Sequence, residues 1–473
     1  MSELPTALGR TAEGIGDGVA WFVGGVVRDL HLGTEIVDVD IATVEPADTV
    51  ARRLHSALGG DVFSLSDRFG TWRVQPPDGW RIDITALRGE TIEDDLAQRD
   101  FTVNAMALAL GDDKSATIDP FGGLADLQGG VLRVLGEHAY EDDPLRPLRL
   151  ARFVASLGFA PDAETAEITR RHAAGVAAAS PERIFAELRS LVASSGAVQG
   201  LESMRELGLL VAVLPELEEL VGVEQSVYHH RDVYGHTLEV LEQLIAVTER
   251  PAEFFPDDAE ALSELLDEPL ADEMTRGQAL RWAALLHDVA KSSTRTVSEG
   301  GRVGFPGHDR AGAEQVRKIC ARLHTSDKFA QYVAALTRHH LHLGFLVDAR
   351  PLERRDVYRY LQKCEPVEVE VGVLSVADRL ATRGRKADVA IERHLELARE
   401  LNSEALAWRA ESRSPLIRGD RLAAALGIST GPAIGKLLAA IDEEHWLGNL
   451  ADEDSAVRLA QRLLDDGSVS LDR

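Results

Sequence analysis

The sequence is poor in cysteine, in aromatic residues and in long apolar stretches. Only two of its 473 residues are cysteines, and Phe, Trp and Tyr together make up 5%. Two cysteines exclude a disulfide framework and suit a reducing compartment. No stretch of about 18 apolar residues occurs, and no N-terminal run joins a basic start to an apolar core. We therefore expect a soluble, cytoplasmic protein that does not enter a membrane.

Basic residues are scarce relative to acidic ones. The chain has 51 Lys and Arg against 78 Asp and Glu, which gives a formal net charge of -27. Because phosphate contacts need clustered Lys and Arg, this balance argues against indiscriminate nucleic-acid binding. It leaves room for a nucleic acid that is held in a local basic groove.

The hydrophobic periodicity changes near residue 140. Before it, strand-like stretches such as "IVDVDIAT", "FGTWRVQ" and "WRIDITAL" alternate with helical ones, whereas after it nearly all apolar residues recur with a helical period. The acidic segment 251–275 resembles a polar excursion or a solvated loop. The length allows roughly three or four domains. We predict an α+β protein, with a small α/β head followed by a long all-α body.

Two aspartates stand at alternate positions of an apolar strand. Asp38 and Asp40 would project to the same side, with Cα atoms about 6.6 Å apart. Two Mg²⁺ ions about 3.5–4 Å apart could be shared between these carboxylates and a nucleoside triphosphate. Asp83, which alternates with Ile82 and Ile84 on a later strand, is a candidate third ligand. A polar residue on a solvated strand face would give the same pattern.

Two glycines and an arginine precede this strand. Gly24 and Gly25 lack Cβ atoms, so their backbone can approach a triphosphate closely. Arg28 could neutralise phosphate charge, and Asp29 could hold Arg28 in place. A Gly-Gly turn before an edge strand with solvated aspartates is the alternative, but the combined pattern G-G-x-x-R-D and D-x-D favours a nucleotide site.

A second polar motif, "AQRDFTVNAMAL", follows at residues 97–108. Arg99 could lie beside a triphosphate and Asp100 could accept a ribose hydroxyl, with Thr102 or Asn104 bonding locally in a helix that we predict to begin here. A helix N-cap at Asp100 beside an incidental arginine explains the motif equally well in isolation. The preceding D-x-D strand favours the functional interpretation.

The motifs "GGVVRD…DVDIAT", "QRDFTVNAMA" and "DDPLRPLRLARF" together resemble those of the bacterial (class II) tRNA nucleotidyltransferases, the CCA-adding enzymes, and of the related bacterial poly(A) polymerases. The resemblance covers about the first 220 residues. It implies a polymerase-β-like head that uses Mg²⁺, CTP and ATP. Such a head would add CMP, CMP and AMP to the 3′ end of tRNA without a nucleic-acid template.

The chain departs from the family pattern at two positions. Gln98 stands where the family usually has the first of two arginines, which leaves triphosphate contacts at this point to Arg99. Asp142 stands where the family usually has glutamate before Asp143. This second departure leaves Asp143, the more important aspartate of the motif, intact.

The stretch "DDPLRPLRLARF" could read the incoming base. Asp143 would accept from the exocyclic amine of cytosine or adenine, and Arg146, on the same helix face, would donate to the neighbouring ring nitrogen. Arg149 and Arg152 lie further along that face and complete the expected nucleotide-binding set. Asp143 followed by Pro144 is also an ordinary helix start, and the two interpretations are compatible.

A second group of metal-binding residue types lies in the helical body. His287 and Asp288 adjoin each other in "AALLHDVAK", with His236 upstream and Asp378 downstream. This order resembles the HD phosphohydrolase superfamily and implies a transition metal such as Ni²⁺, Mn²⁺ or Fe²⁺. Further ligands for a two-metal variant are expected at two positions, His308 and His339. If active, the site would hydrolyse phosphate esters such as 2′,3′-cyclic or 2′-phosphates.

These resemblances divide the chain into four parts. We predict a nucleotidyltransferase head at 1–139, a helical neck for base recognition and RNA binding at 140–222, an HD-type domain at 223–400 and a tRNA-binding tail at 401–473. In the tail, backbone contacts to tRNA are expected from three basic residues: Arg418, Arg421 and Lys436. "SDRFGTWRV" resembles the "FGT" loop of CCA-adding enzymes, and the chain lacks a basic tail.

Both features favour CCA addition over poly(A) synthesis. An A-adding enzyme, and an HD phosphohydrolase whose head is a degenerate nucleotide-binding module, remain alternatives.

Overall fold

The computed structural model describes residues 6–16, 19–36, 38–66, 70–110, 116–225, 230–382, 387–411 and 414–470. The chain divides into two compact units, Met1–Glu218 and Glu219–Arg473. Phe69 of the "FGT" stretch lies outside the described residues. The finer division into four domains stays a prediction.

The first unit contains a mixed sheet followed by helices. Its strands are β1 Ala20–Val23, β2 Asp38–Thr43, β3 Asp61–Ser66, β4 Thr71–Gln75, β5 Arg81–Ala86, β6 Ala107–Leu110, β7 Thr117–Ile118, β8 Val131–Leu132 and β9 Ala160–Pro161. Its α-helices are α1 Thr6–Ile15, α2 Gly25–Leu32, α3 Ala47–Leu58, α4 Ile92–Leu96, α5 Gly123–Gly129, α6 His138–Asp142, α7 Arg146–Leu157, α8 Ala163–His172, α9 Pro181–Ala193, α10 Ala197–Glu206, α11 Leu210–Val213 and α12 Pro215–Glu218. Two 3₁₀ helices span Thr102–Asn104 and Ala173–Ala178.

The seven-stranded sheet has the order β3-β4-β5-β2-β1-β6-β7. β2 and β5 run parallel, with Asp38 opposite Arg81 and Asp40 opposite Asp83, while the neighbouring pairs β1–β2 and β4–β5 are antiparallel. Side chains alternate along β2 and β5, so Val39 and Ile82 are buried in the core behind the sheet. The aspartates of both strands therefore face the other way, side by side.

The helix predicted after Asp100 is wrong. The chain makes one 3₁₀ turn at Thr102–Asn104 and then enters β6, which pairs with β1. The hydroxyl of Thr102 donates to Asp126 at 2.7 Å, so it anchors the turn to α5. A short apolar run such as "MALAL" has the same appearance in a buried strand and in a buried helix, which is why periodicity misassigned it.

The second unit is almost entirely helical. Its helices are α13 Val233–Glu249, α14 Pro251–Phe254, α15 Ala259–Asp267, α16 Arg276–Leu286, α17 Lys291–Thr294, α18 His308–Arg322, α19 Asp327–His339, α20 His342–Leu346, α21 Arg354–Cys364, α22 Glu368–Leu380, α23 Ala387–Ala410, α24 Gly419–Leu426, α25 Pro432–Trp446 and α26 Glu453–Asp465. A 3₁₀ turn spans Val347–Ala349, and two short hairpins pair β10 Pro269–Ala271 with β11 Met274–Thr275 and β12 Thr296–Val297 with β13 Val303–Gly304.

The segment 251–275 is not a loop, which corrects the prediction from its acidic residues. Leu262, Leu265 and Leu266 of α15 are buried, while acidic residues such as Glu260 face outward. The apolar residues recur at i, i+3 and i+4, and this pattern buries one face of a helix even when the rest is charged.

The fold class is confirmed: a small mixed α/β head precedes a largely helical body. In the tail, Pro432 is the first residue of α25 and follows Gly431, a position that suits proline because it needs no N–H donor there. Buried residues such as Leu422, Leu437 and Ile441 form the core of the tail. Among the described residues, no helix is both long and apolar enough to cross a membrane.

We expect Ile82→Ala to destabilise the head, because Ile82 precedes Asp83 on β5 and its side chain is fully buried on the opposite face of the sheet. Removing this side chain should cost about 2 to 5 kcal/mol of unfolding free energy. Hydrogen exchange measured by mass spectrometry should show faster exchange in β2, β4 and β5. Val44→Ala, at a position that is 63% exposed, is the control and should change stability by less than about 0.5 kcal/mol. Equal effects of the two variants would contradict the assigned core.

Candidate active and metal sites

Three carboxylates lie side by side on two strands of the head. Asp38 and Asp40 project from the same face of β2, and Asp83 stands opposite Asp40 in the register of β5. All three line one open cavity of about 500 Å³. Carboxylate oxygens are the ligands that Mg²⁺ prefers. The residues therefore fit a divalent cation shared with a phosphate ligand.

Two arginines that the sequence did not indicate balance part of this negative charge. Arg81 donates to both oxygens of Asp38, at 2.6 and 2.9 Å. Arg73 donates to both oxygens of Asp83, at 2.7 and 2.8 Å. Both lie on the sheet face that bears the aspartates, and alternation along β4 and β5 could have pointed to them. In this structure both carboxylate oxygens of Asp83 therefore accept hydrogen bonds from Arg73.

Asp40 is affected by the negative charges of Asp83 and Asp38 and by the positive charge of Arg99. Surrounding protein desolvates its carboxyl group and, together with the charges of Asp83 and Asp38, raises its pKa to about 6, although Arg99 acts in the opposite direction. The side chain is nonetheless reached by solvent from the cavity. A bound cation would remove this like-charge repulsion, so the raised pKa agrees with a cation site.

Gly24 is required where the backbone passes the site. Its φ is +75°, and a Cβ atom built there would lie 2.6 Å from Nη1 of Arg99 and 3.6 Å from Oδ2 of Asp40. Arg99 is held by Asp95, a buried residue that accepts from its Nε and Nη2 at 3.2 and 3.0 Å. Glycine thus keeps an arginine and the start of α2 open to a phosphate. Gly25 lines the same cavity.

A chain of hydrogen bonds fixes the other predicted phosphate ligand. Asp29 accepts from Nε and Nη2 of Arg28 at 2.8 and 3.0 Å, as the sequence suggested, and Asn104 accepts from Nη1 at 2.7 Å. The Asn104 amide then donates to Asp100 at 3.0 Å. Burial alone would raise the pKa of Asp100, but Arg149 and Asn104 hold it well below its usual range. Asp100 is therefore a fixed anion at the cavity wall.

The two further arginines of α7 bind an acidic residue that sequence reasoning missed. Glu187 of α9 accepts from Arg149 at 3.3 Å and from Arg152 at 2.5 Å, and Arg149 also donates to Asp100 at 2.8 Å. The ring of Phe153 lies beneath the Arg152 guanidinium at 4.1 Å. This arrangement places two cations at the cavity edge without leaving either unbalanced.

The pair predicted to read the base surrounds a smaller cavity of about 260 Å³. Helix α7 begins at Arg146, so the predicted helix start at Asp143 is wrong, and the two residues do not share a helix face. Asp143 accepts from the Leu145 amide at 3.1 Å and from Arg183 at 2.6 Å. Arg146 donates to the main-chain carbonyls of Gln98, Arg99 and Ala139.

Both side chains nevertheless line the same cavity, which adjoins the larger one. Asp143 keeps lone pairs free and Arg146 keeps N–H groups free for a ligand. Gln98, the departure from the family pattern, donates to the carbonyls of Arg88 and Asp94 and so braces the loop before α4.

In the second unit, six buried or half-buried side chains converge from five elements. One set joins His236 of α13, His287 at the end of α16 and Asp378 of α22, whose ligand atoms lie within 4.8 Å of one another. A second set joins Asp288, His308 and His340, whose ligand atoms also lie within 4.8 Å of one another. Asp288 connects them, since its Oδ2 is 3.1 Å from His287 and its Oδ1 is 3.4 Å from His308. The geometry fits two divalent ions bridged by one carboxylate.

The prediction of His339 as an extra ligand is wrong, and the adjacent His340 takes that place in the cluster. His340, fully buried, faces His308 with 3.3 Å between their Nε2 atoms, whereas His339 faces His342. Successive residues at the end of a helix point about 100° apart, so only one of the two can reach the cluster. Lys291 donates to Asp288 at 2.6 Å.

Two members of this cluster are held in the protonation state that a metal ligand needs, and a third competes with a proton. Although burial opposes this, His287 and Lys291 hold the pKa of Asp288 well below its usual range. Against the effect of burial, Asp288 in turn raises the pKa of His287, so a metal ion would have to displace a proton from this ring. Burial lowers the pKa of His340 to about 3, which leaves a neutral imidazole. Nε2 of His287 and both oxygens of Asp288 are buried, and the close polar contacts of Asp288 are ion pairs with Lys291, His287 and His308. A buried carboxylate that is surrounded by histidine nitrogens suits a bound cation.

Two of the three tail residues predicted to contact tRNA are paired with acidic neighbours. Arg418 contacts Asp420 at 3.1 Å and Arg421 contacts Glu453 at 2.9 Å, both on the surface. Lys436 is exposed on α25. None of these three residues belongs to the HD cluster, and their contact with tRNA stays a prediction.

Comparison with known families places these sites in context. The model of the "Poly A polymerase head domain" matches residues 20–92 and 81–133. That of the "HD domain" matches 233–383, and that of the "Probable RNA and SrmB- binding site of polymerase A" matches 158–220. The fold and the two sites therefore define a nucleotidyltransferase head joined to an HD-domain body.

Relatives over nearly the full length narrow this class. The chain is 35% identical to the A-adding tRNA nucleotidyltransferase of Deinococcus radiodurans, over 94% of this chain and 95% of that protein. It is 33% identical to the CC-adding tRNA nucleotidyltransferase of Thermus thermophilus, over 92% of each. The chain belongs to the tRNA nucleotidyltransferase family, and the resemblance seen in its motifs is confirmed.

Solved structures share the fold. A CCA-adding enzyme in complex with CTP superposes with a TM-score of 0.63 at 20% identity, covering 99% of this chain and 97% of the other. The Thermotoga maritima CCA-adding enzyme complexed with tRNA gives 0.59 at 22% identity, covering 96% and 94%.

We expect Asp40→Asn to stabilise the metal-free head at pH 8 by clearly more than at pH 4. The carboxyl group of Asp40 has a pKa near 3.8 in the unfolded chain and about 6 in the folded one, so the wild-type protein loses stability as the pH rises between these two values, and the uncharged variant does not. Because solvent reaches the carboxylate, screening limits the gain to about 1 kcal/mol. Thermal unfolding in EDTA at both pH values measures it. Asp38→Asn, which breaks the pair with Arg81, should gain nothing at either pH, and an equal gain in both variants would contradict the assignment.

Proposed function

We propose that the head transfers nucleotides from CTP and ATP to the 3′ end of tRNA, adding CMP, CMP and AMP in turn. The observation that carries the proposal is the in-register placement of Asp38, Asp40 and Asp83 beside an arginine-lined cavity that opens into a second, base-sized one. Relatives of this chain that are named for A addition, CC addition and, as a "Multifunctional CCA protein" of Pseudomonas aeruginosa, for CCA support it.

In the larger cavity, Asp38 and Asp40 would hold Mg²⁺, which when bound activates a hydroxyl nucleophile and neutralises phosphate charge. Arg28 and Arg99 bind the triphosphate beside the backbone of Gly24. Gly25 supplies a further close approach at the start of α2. Asp100, Asn104, Arg149 and Arg152 complete the nucleotide-binding set.

In the smaller cavity, Asp143 and Arg146 select the base. A carboxylate accepts from the exocyclic amines of cytosine and adenine, and a guanidinium donates to the ring nitrogen beside each amine. Uracil and guanine present the opposite pattern at both positions, with a carbonyl oxygen in place of the amine and an N–H group in place of the bare ring nitrogen. Arg183 and the Leu145 amide fix the orientation of Asp143, and three carbonyl groups fix that of Arg146.

In the second unit, we propose a phosphohydrolase that acts on 2′,3′-cyclic or 2′-phosphates at damaged tRNA ends. The six converging ligands would hold divalent ions such as Ni²⁺, Mn²⁺ or Fe²⁺, which when bound generate a hydroxide nucleophile. A cavity of about 520 Å³ adjoins Asp378 and His340, and Arg379 and Arg393 line it. Two arginines beside a metal cluster suit a phosphate ester.

The four-part division follows from these roles. Residues 1–139 carry transfer chemistry, 140–222 complete base and RNA contacts, 223–400 carry the HD site, and 401–473 dock tRNA through surface residues such as Arg418, Arg421 and Lys436. The acidic partners of the two arginines would exchange for phosphates on binding, with the salt dependence typical of such contacts.

A second candidate is addition of A alone, which the 35% identity to an A-adding enzyme favours. Poly(A) synthesis, and an HD hydrolase with a head that only binds nucleotides, are further outcomes that the same assay distinguishes.

We expect Mg²⁺-dependent extension of tRNA lacking CCA to yield CC with CTP alone and CCA with both nucleotides, read on sequencing gels. The double variant Asp38→Ala/Asp40→Ala should lose at least about 10³-fold in rate, because several kcal/mol of charge stabilisation disappear. Asp288→Ala is the matched control and should extend normally.

A single A added only to tRNA that ends in CC would replace CCA addition by the A-adding function. Long A-tracts from ATP would indicate a poly(A) polymerase. No product on any substrate would overturn the transfer proposal and leave the second unit as the working site.

For that unit, we expect hydrolysis of 2′,3′-cyclic AMP in the presence of Ni²⁺ or Mn²⁺. Asp288→Ala should abolish it, and Arg379→Ala should mainly raise KM, because it removes a phosphate contact rather than a metal ligand. The Asp38→Ala/Asp40→Ala protein should hydrolyse at the full rate. Activity that survives in Asp288→Ala, measured by chromatography of the product, would contradict an HD-type site.

A further inference from the structure

A third group of metal-binding side chains lies apart from both sites described above. His339 ends α19, His342 begins α20 and Cys364 ends α21. The Nδ1 atoms of the two histidines are 3.0 Å apart, and Sγ of Cys364 is 3.9 Å from Nδ1 of His342. One ligand atom from each residue lies within 4.8 Å of both others. We call these three residues the His₂Cys cluster.

The distances are close to those of a tetrahedral metal site. Zinc binds histidine nitrogen at about 2.0–2.1 Å and cysteine sulfur at about 2.3 Å, so tetrahedral angles separate two nitrogens by about 3.3 Å and a nitrogen from a sulfur by about 3.6 Å. The observed separations of 3.0 and 3.9 Å differ from these by a few tenths of an ångström. Rotation of the side chains within their rotamer wells is enough to close that gap.

The residue types also select the kind of ion. A thiolate with two imidazoles prefers borderline-soft ions such as Zn²⁺ over Mg²⁺. Cys364 is fully buried, while His339 and His342 are half-buried, so an ion can enter from the histidine side and keep a solvent ligand in the fourth position. The cluster differs in this respect from the HD ligands, which are histidines and aspartates alone.

A pair of stacked histidines is the competing explanation for two of the three residues. Their rings lie 4.9 Å apart at an interplanar angle of 33°, and one imidazole N–H could donate to the other ring. That pairing does not require a sulfur at the same point. Cys364 comes from a different helix and converges on the same place, which a shared ion explains and a histidine pair does not.

We propose that the His₂Cys cluster binds one Zn²⁺ ion or a similar borderline-soft divalent ion. On binding, the thiol of Cys364 releases its proton to solvent, and both histidines bind through neutral nitrogens. The ion joins the ends of α19, α20 and α21. It thereby fixes the short connection that carries His340, a residue of the HD cluster. The role is structural, and it supports the wall of the neighbouring site.

Cobalt distinguishes this site from the HD cluster, because thiolate coordination gives Co²⁺ a charge-transfer absorption that histidine and aspartate ligands do not. We expect titration of the metal-free full-length protein with Co²⁺ to produce this band with the final intensity of one cobalt–thiolate site per chain, because the HD cluster takes up Co²⁺ without contributing to it. Zn²⁺ should displace the band. The band should persist in Asp288→Ala. It should vanish in Cys364→Ser and in His342→Gln, two variants that remove different ligands and different degrees of packing.

The chain offers a matched control, since its other cysteine, Cys320, is buried in α18 away from the cluster. Cys320→Ser should give the wild-type band. The proposal is overturned if the full-length protein shows no thiolate band, if the band survives in both Cys364→Ser and His342→Gln, or if it is lost in Cys320→Ser. Circular dichroism on each variant separates loss of a ligand from loss of the fold.

Discussion

The head depends on one constraint: β2 and β5 run parallel with Asp40 opposite Asp83. This register brings three carboxylates to one face of the sheet, where their mutual repulsion opposes folding unless cations are near. Arg81 and Arg73 supply part of that charge as bidentate partners of Asp38 and Asp83. Among the described residues, none forms a bidentate pair with Asp40, and burial together with Asp83 and Asp38 raises the pKa of Asp40. The carboxylate with the least favourable surroundings of the three is thus one that we propose as a metal ligand.

Acidic side chains that position arginines explain how a protein with a negative net charge can bind nucleotides. A net charge of -27 is an average over the surface, whereas the two head cavities are lined by arginines that acidic side chains hold in place. Asp95 positions Arg99, Asp29 positions Arg28, and Glu187 positions Arg149 and Arg152. Each carboxylate fixes a guanidinium without removing all of its donors. Local geometry therefore decides the ligand, and global charge does not.

The HD cluster also balances the negative charge of a carboxylate, but it does so around one buried aspartate and not across three on the face of a sheet. Here the buried centre is a single carboxylate, Asp288, and histidines from separate helices surround it together with Lys291. Burial of this carboxylate costs the folded state free energy, which Lys291 and the histidines offset in part and which a bound cation would offset further. Both units thus keep polar groups in energetically unfavourable positions at the site of their chemistry, and both rely on rigid secondary structure to hold them there.

Sequence patterns alone determined the parts that depend on local periodicity. Alternation in "DVDIAT" placed Asp38 and Asp40 on one side of a strand, and adjacency in "HD" marked the second site, because both relations are set by a few consecutive backbone angles. Relations between distant segments required the tertiary structure. The register between β2 and β5 places Asp83 and Arg81 beside β2. The direction of the side chains at the end of α19 brings His340, and not His339, to the HD cluster. The packing of α9 against α7 brings Glu187 to Arg152. β6 was misread as a helix because a buried strand of small apolar residues has no period of its own. Local sequence fixes which way a side chain points within its element, but the contacts between elements fix what it meets.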